Sequence, residues 1–448
     1  MKLLLTHGYF LSEDAKEQRI MKPYAPLGIL YLSSHLRNKG FDVEIYDSTF
    51  GSKQELFGVL RSGPPATLGV YANLMTRGNV VEILACARAA GWRTVVGGPE
   101  PPNYAEEYLA AGADLIVAGE AEIALQTLAE SRFDPAQWPN VPGVIFRSID
   151  GSVVRTPSAP LIKDLDAQPW RDRERIDIDR YVAVWRRHHG TGSVSLITAR
   201  GCPYRCNWCS HSVYGNTHRR RSPKAVVDEV EWLLDRYSPD MLWLADDVFT
   251  IHHGWLFEYA AEMQRRSLHI PFECITRADR LNGQVVETLA NLGCFRVWIG
   301  SESGSQRILD AMQRGVTVSQ VQTAVSLCKQ RGIQTGMFLM WGYEGEDVED
   351  IQATIEHVKK CRPDACFTTV SYPIKGTPYF DKVAPRLINL PDWGRSSDRT
   401  YRIQGRHSRR FYDYADELLR SELADSPDSS KVLAARQGLM QTRHEVEA

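Results

Sequence analysis

The sequence predicts an α/β chain made of two strand–helix series. A doubly wound parallel sheet spans residues 1–132 and a partial (β/α)6 barrel spans 193–385, with a hairpin and linker at 133–192 and a helical extension at 386–448. Three observations carry this. Short β-branched runs alternate with amphipathic stretches, the pattern of parallel strands joined by crossover helices. Glycines close those stretches at Gly40, Gly91 and Gly332, where a left-handed residue ends a helix at least cost. The 448 residues also suit two or three domains, at roughly 150 residues each.

In the first series the strands are Leu3–Leu5, Val43–Tyr46, Leu68–Tyr71, Thr94–Val96 and Leu115–Val117. Between them Gly28–Lys39 presents Ile29, Leu30, Leu32 and Leu36 before Gly40, and Val80–Ala90 is closed by Gly91, so both read as packed crossovers. Open α/β sheets of this Rossmann-like kind bind ligands beyond the carboxyl ends of their strands. Those ends carry His7-Gly8, Asp47-Ser48-Thr49, Ala72-Asn73-Leu74, Gly97-Gly98-Pro99 and Gly119-Glu120. A glycine pair admits close approach of a large ligand, although tight strand-to-helix turns use glycine for structural reasons as well.

Val144–Arg147 and Val153–Val154 flank Asp150-Gly151, a strong hairpin signal. They are expected to form a two-stranded flap, followed by a linker through Asp164, Pro169 and Tyr181. The second series has strands near Val194–Ala199, Met241–Ala245, Phe272–Thr276, Phe295–Ile299, Gln334–Met340 and Phe367–Ser371. Ser222 and Pro223 supply an N-cap and a first-turn proline before Val226, Val227, Val230, Leu233 and Leu234. Val318, Val321, Val325 and Cys328 mark another helix, ending at Gly332. In the tail Arg395, Arg399, Arg402, Arg406, Arg409 and Arg410 precede a helix over Tyr412–Glu422; they are expected on a solvated face, with an anionic substrate as the alternative partner.

Lys plus Arg number 53 and Asp plus Glu 55, a net charge of −2. That leaves no global field for a polyanion, and no nucleic-acid partner is expected. The opening MKLLLTHGYF is too short in apolar residues for a signal peptide, and no 18-residue apolar run occurs. A cytoplasmic protein without membrane insertion is expected, its nine cysteines reduced. Cys274, Cys294, Cys328, Cys361 and Cys366 lie mostly in apolar segments, where a thiol packs as a small hydrophobe.

Cys202, Cys206 and Cys209 stand apart from these, because they fall in the loop after the first strand of the second series, at the end where such sheets place their chemistry. Three thiolates this close wrap one soft centre, yet leave a tetrahedral zinc or a cubane cluster one ligand short. His211 is the candidate fourth ligand of a structural zinc, which would make the chain a zinc-stabilised binding module. A [4Fe–4S] cluster would instead expose one iron.

The motif C-x3-C-x-aromatic-C, here Cys202, Cys206, Trp208 and Cys209 after a barrel strand, resembles that of the radical S-adenosylmethionine (SAM) superfamily, and the resemblance continues through 193–385. It implies that the three cysteines are the catalytic metal ligands, holding a [4Fe–4S] cluster whose open iron is chelated by SAM, and that Trp208 lines the adenine pocket. Asp246 and Asp247, in Leu244-Ala-Asp-Asp-Val248, stand where the family has a Gly-Gly-Glu motif contacting the SAM amino group. Arg277, Glu302, Ser303, Gly342 and Tyr343 are implied as SAM carboxylate, ribose and adenine contacts. The chemistry implied is reductive cleavage of SAM to methionine and a 5′-deoxyadenosyl radical, with electrons from a donor such as flavodoxin or ferredoxin, in a dry barrel interior near Val297–Ile299 and Met337–Trp341.

The N-terminal half resembles the cobalamin-binding domain that precedes the barrel in the B12-dependent class. The matching residues are Pro26-Leu27-Gly28 through Leu36, Asp47, Thr49, Gly97, Gly98, Pro99, Gly119 and Glu120. The Asp-x-His-x-x-Gly signature is absent, so cobalamin is expected without a histidine of that motif below the metal; a flavodoxin-like domain binding no cobalamin is the alternative. The whole implies a cobalamin-dependent radical SAM enzyme that C-methylates a small-molecule substrate, or else one that performs other radical chemistry such as oxidative cyclisation of a porphyrin ester. A methylthiotransferase is disfavoured, since that family needs three further cysteines in the first domain and only Cys86 is present. His188, His189, His211, Tyr214 and Lys375 are candidate substrate-side groups.

Overall fold

Leu3, Leu4 and Leu5 are all buried, as befits a central strand covered on both faces. In the computed structural model, which describes residues 2–388, 392–424 and 428–448, they form the middle of strand β1 (Lys2–His7). With β2 (Asp42–Ile45), β3 (Thr67–Tyr71), β4 (Arg93–Gly97) and β5 (Leu115–Val117) it makes a parallel sheet of order β2-β1-β3-β4-β5. The order reverses between β1 and β3, the switch point at which a doubly wound sheet opens a ligand crevice. The helix Leu27–Asn38 packs Ile29 and Leu36 on one face of the sheet, against Leu3, Leu5 and Val43.

The hairpin departs from its expected role. β6 (Val144–Arg147) pairs antiparallel with β5, and β7 (Val153–Arg155) with β6, so the two strands extend the first sheet to seven instead of forming a flap. Val144, Ile145 and Phe146 are buried, and an edge place on the sheet covers more of their apolar surface than a free flap would. The linker is also more ordered than expected: Asp177 caps a helix over Ile178–His189, which ends at Gly190 in the left-handed region.

The second sheet begins at β8 (Ser193–Leu196). A short antiparallel ladder of β9 (Ala199–Arg200) and β10 (Arg219–Arg220) follows, then β11 (Met241–Leu244), β12 (Phe272–Thr276), β13 (Cys294–Glu302), β14 (Gln334–Trp341) and β15 (Ala365–Val370). Order β15-β14-β13-β12-β11-β8, all parallel, is the expected open barrel. Leu242, Leu244, Cys274, Val297, Ile299, Met337 and Leu339 pack outward against the helices. Alternation along the strands turns Trp243, Glu273, Trp298, Phe338 and Phe367 into the lumen.

Helices Arg409–Leu423 and Ser429–Gln441 close the chain, burying Phe411, Tyr412, Leu418 and Leu419 against the barrel core. Arg409 and Arg410 are solvated as expected. Arg406 is not: it donates to the Ser371 carbonyl at 2.7 Å and pairs with Glu447 at 3.1 Å, so it holds the tail to β15 and has no free face for an anionic substrate.

Candidate active site

The cysteine loop, 201–218, leaves and returns through the β9–β10 ladder. Its neck is tight: Gly201 has φ +83°, and a Cβ there would lie 2.4 Å from the Thr217 carbonyl. Within the loop Asn207 is held from several sides. Its amide nitrogen donates to the Met312 carbonyl at 3.2 Å, its carbonyl accepts from the Tyr379 amide at 2.9 Å, and its Oδ1 accepts from the Tyr343 hydroxyl at 2.7 Å. Arg277 stacks 3.6 Å above the Tyr204 ring and donates to Asp279 at 2.8 Å and to the Arg314 carbonyl at 3.0 Å.

Cys202, Cys206 and Cys209 are each half-buried. Arg277 and Arg314 both direct an Nη1 at the Cys206 sulfur, at 3.9 Å. Burial pushes the Cys209 thiol up to about 12, and the neighbouring Cys206 and Cys202 add to the rise. Three mutually opposed thiolates suit a cationic centre that needs all of them, so the donor set fits a [4Fe–4S] cluster. Among the described residues no three His, Cys, Asp or Glu groups stand close enough to share one metal ion; zinc at ~2.3 Å from each thiolate would draw the sulfurs to within about 3.8 Å of one another.

The structure separates the two aspartates after β11. Asp246 is buried and accepts from the amides of Thr198 and Ala199, at 2.6 and 3.1 Å, and from Arg220. It braces the approach to the cysteine loop and has no oxygen to spare for the SAM amino group. Asp247 faces the cysteines instead: burial raises its carboxyl, Asp246 raises it further, and its charge in turn raises Cys202 and Cys209.

The remaining expected SAM contacts also divide. Glu302, in the left-handed region at φ +61°, is raised to about 6 by burial against the opposing charges of Arg314 and Arg277. Its charge reaches Cys209, which places it at the site. Ser303 turns away, 3.1 Å from the Thr354 hydroxyl in the helix Val348–Cys361. Gly342 has φ +71° and donates its amide to Glu346. Tyr343 stacks on Tyr379 and pins Asn207, so it positions the cysteine loop. Trp208 packs against the buried cluster that contains Met312, Met340 and Tyr343, with its buried indole nitrogen unpartnered among the described residues.

At the carboxyl edge of the first sheet a cavity of about 650 Å³ runs inward between the strands and the helices Leu27–Asn38 and Glu122–Glu130. Gly97, Gly98, Pro99, Gly119 and Thr49 line it, and Ile197, Arg200, Val213 and Tyr214 close it from the barrel side. Gly98 has φ +117°, and a Cβ there would stand 2.2 Å from the Ala72 carbonyl. Gly69 lies on the floor, where a Cβ would meet Leu5 at 2.6 Å. A deep, mostly apolar channel with side-chain-free turns at its mouth fits a bulky, flat ligand with a tail.

Asp47 sits behind this cavity. It accepts from His7 at 3.1 Å, from the Thr49 amide at 3.0 Å and from the Tyr181 hydroxyl at 2.7 Å. Burial would raise its carboxyl, but these bonds outweigh burial and lower it. His7 lines the cavity with Nε2 on Asp47 and Nδ1 accepting from the Tyr9 amide at 3.3 Å, so neither nitrogen is free as a metal ligand. Glu120 accepts from Arg200 at 2.9 Å, Arg219 at 2.8 Å and the Ile162 amide at 2.8 Å. It ties the two sheets together at the cavity wall.

Of the substrate-side candidates, Tyr214 lines the cavity and His211 faces Asp247. His188 is exposed and His189 bonds the Ile20 carbonyl at the surface, while Lys375 pairs with Glu107 at 3.4 Å. Sequence reasoning missed Tyr204, Asn207, Arg314, Tyr181, Arg200 and Arg219. Each acts on a group distant in the chain, and no local spacing marks it.

Residues 196–358 match the radical SAM superfamily and residues 20–129 the B12 binding domain. The first match contains all three cysteines and overturns the zinc-module alternative, and the second supports cobalamin over a flavodoxin-like first domain that binds none. The chain is 27% identical over 394 residues to the uncharacterized methyltransferase PH0819 of Pyrococcus horikoshii, covering 85% of this chain and 83% of that one. It is 28% identical over 381 residues to the anaerobic magnesium-protoporphyrin IX monomethyl ester cyclase of Rubrivivax gelatinosus, covering 81% and 66%. Its fold matches the radical SAM methyltransferase TsrM of Kitasatospora setae, solved with cobalamin and a [4Fe–4S] cluster, at a TM-score of 0.70 and 22% identity over 86% of this chain and 74% of that one. No helix among the described residues is long and apolar enough to cross a membrane. With a cysteine loop suited to a [4Fe–4S] cluster that SAM completes, facing a channel suited to cobalamin, the chain belongs to the cobalamin (B12)-binding radical SAM enzymes.

Proposed function

We propose that the enzyme C-methylates an unactivated carbon of a small molecule. The observation that carries this is the shared wall of the two sites: Val213 and Tyr214, in the loop that bears the cysteines, line the cavity that opens from Gly97, Gly98 and Gly119. A methyl donor in that cavity and a radical generated at the cysteine loop therefore meet over one volume.

In this reading Cys202, Cys206 and Cys209 hold the cluster, and Thr49, Gly97, Gly98, Pro99 and Gly119 border the cobalamin. When bound, the two groups supply an electron to SAM and a transferable methyl group. The chain's own residues do the positioning. Arg277 and Arg314 hold the Cys206 sulfur, Asp247 and Glu302 are the carboxylates facing the SAM position, and Tyr343 and Asn207 keep the loop from moving. Glu120 and Arg200 fix the spacing of the two cofactors, and the apolar lumen excludes water that would quench a radical. A one-electron donor of the flavodoxin or ferredoxin type is the implied reductant.

The test is anaerobic reconstitution of the full chain with iron, sulfide and hydroxocobalamin, then incubation with methyl-labelled SAM and a reductant. Methylation predicts about four irons per chain, cobalt retained after desalting, label held by the protein, and both S-adenosylhomocysteine and 5′-deoxyadenosine. Identity to the cyclase favours a second reading, oxidative cyclisation. It predicts 5′-deoxyadenosine with no S-adenosylhomocysteine and no retained label.

A further inference from the structure

The cavity beyond the first sheet is bounded by walls of unequal strength. Its floor is the sheet itself. The helix Leu27–Asn38 buries Ile29, Leu30 and Leu36, and the helix Glu122–Glu130 buries Ala124, Leu125 and Leu128. On the barrel side Arg200 pairs with Glu120 and Glu122, all three buried, and parting them would strand charges away from water. A further wall is the segment between β1 and the helix Leu27–Asn38, which contributes Asp14, Glu17, Lys22, Pro23 and Tyr24 to the lining.

From 12 to 22 no residue of this segment is buried, and Ile20 stands 37% exposed. Asp14 caps a short helix, Ala15–Ile20, which ends at Met21 with φ +51°. The Gln18 side chain donates to the Ser12 carbonyl at 2.7 Å, so the piece holds together as one body. Fixed points flank it. Leu11 is buried and donates its amide to the Thr49 carbonyl at 3.0 Å. Pro23 is buried as well, and its carbonyl accepts from the Trp185 indole at 2.7 Å. Among the described residues, the polar ties from 12–22 to distant parts of the chain are few. Glu13 pairs with Lys53 at 3.2 Å, His189 Nε2 donates to the carbonyls of Ile20 and Met21 at 2.8 and 3.2 Å, and the Lys22 ammonium lies 5.2 Å over the Trp185 ring. Solvated ties of this kind contribute little each, so this wall opens at far less cost than the packed helices or the barrel side.

We propose that residues 12–22 form a port through which cobalamin enters and leaves the first domain, hinged at Leu11 and Pro23 and latched by His189. The inference rests on cobalamin occupying this cavity and is independent of the reaction that follows. Segments that must admit a ligand come from the least stable part of a fold, and here that part borders the cavity. The latch belongs to the helix Ile178–His189, whose Tyr181 bonds Asp47 behind the cavity at 2.7 Å, so one helix touches both the back of the cavity and its port.

Two measurements on the full chain, reconstituted with iron and sulfide, test this. Trypsin can cut the segment after Lys16 and Arg19, and mass spectrometry of the early fragments reads those cuts. They are expected among the first cuts without cobalamin and to slow severalfold with hydroxocobalamin bound; equal rates in the two states overturn the port. Stopped-flow absorbance gives the rate of cobalamin uptake, and a chase of cobalt-radiolabelled cobalamin gives its release. The comparison is with a Glu13→Gln, His189→Ala double variant, in which neither altered residue lines the cavity. Loss of the latch is expected to raise both rates together by about tenfold, the scale of one hydrogen bond and one surface ion pair, and so to leave the dissociation constant nearly unchanged. Unchanged rates, or faster release without faster uptake, overturn the port and make the segment a fixed wall. A chain that retains no cobalamin overturns the placement of the cofactor and the port with it, whereas retention with unaltered kinetics overturns the port alone.

Discussion

At residue scale the site is a balance of charges that only a bound cation resolves. Cys206 takes two guanidinium contacts, from Arg277 and Arg314, while its neighbours take none, so its sulfur is the one held in place from the barrel side. Cys206→Ala is expected to abolish iron incorporation and 5′-deoxyadenosine formation while the first domain still retains cobalamin; iron assay and chromatography of the nucleoside products check it. Glu346 shows the opposite economy. It is buried, one of its oxygens lacks a partner, and burial raises its carboxyl to about 8. A raised folded value means that its contribution to stability is fully present below its ordinary value near 4.5 and is lost as pH rises through about 8. Glu346→Gln should therefore flatten the decline in stability between those limits by one proton equivalent, as measured by denaturant unfolding across pH. An unchanged slope would show that the carboxyl ionises freely in the fold.

At element scale strand ends decide which residues act. Glycine at the end of β4 is required twice over, by a φ of +117° and by the 2.2 Å approach of a Cβ at Gly98 to the Ala72 carbonyl. Gly98→Ala is expected to cost about 1–3 kcal/mol and to lower cobalt retention, read by thermal unfolding and metal analysis after desalting. The pair Asp246 and Asp247 makes the same point just after β11, in the bend that leaves the strand: Asp246 ties down Thr198 and Ala199 and pairs with Arg220, while the charge of Asp247 reaches the cysteines. Likeness of motif named both as cofactor contacts, and the bonds of Asp246 leave it no oxygen to offer.

At the scale of the whole molecule, two buried ionic networks join the domains. Arg200 links to Glu120 and Glu122, after the last parallel strand of the first domain, and Arg171 of the linker joins Glu229 of the barrel and Tyr31 of the first domain. Burial alone would raise Glu229, but Arg171, Arg221 and Arg173 outweigh it and hold it down to about 2. With a depressed folded value, the stability it contributes is present above its ordinary value near 4.5 and lost as pH falls toward 2. Arg200→Met leaves two buried carboxylates short of a partner and is expected to cost about 3–5 kcal/mol. Denaturant unfolding should then resolve two transitions where the parent shows one, and retention of a single transition with parental midpoint would show that the network does not couple the domains.

Legibility followed the range of the interaction. Strands, crossover helices and caps such as Ser222 and Gly332 were readable because hydrophobic period and capping chemistry act within a few residues, and the cysteine spacing marked its loop for the same reason. The hairpin's place at the sheet edge, the helix in the linker, the anchoring of Arg406 and the turning away of Ser303 were not readable. By itself the sequence determined two α/β units, the three-cysteine loop and the glycine turns that a large cofactor needs. Only the tertiary structure decided that Asp246 braces while Asp247 lies toward the site, and that Glu120 joins the domains. Those outcomes depend on partners tens to hundreds of residues away, brought together by burial of the two sheets, and no local pattern in a chain encodes which distant group will stand opposite.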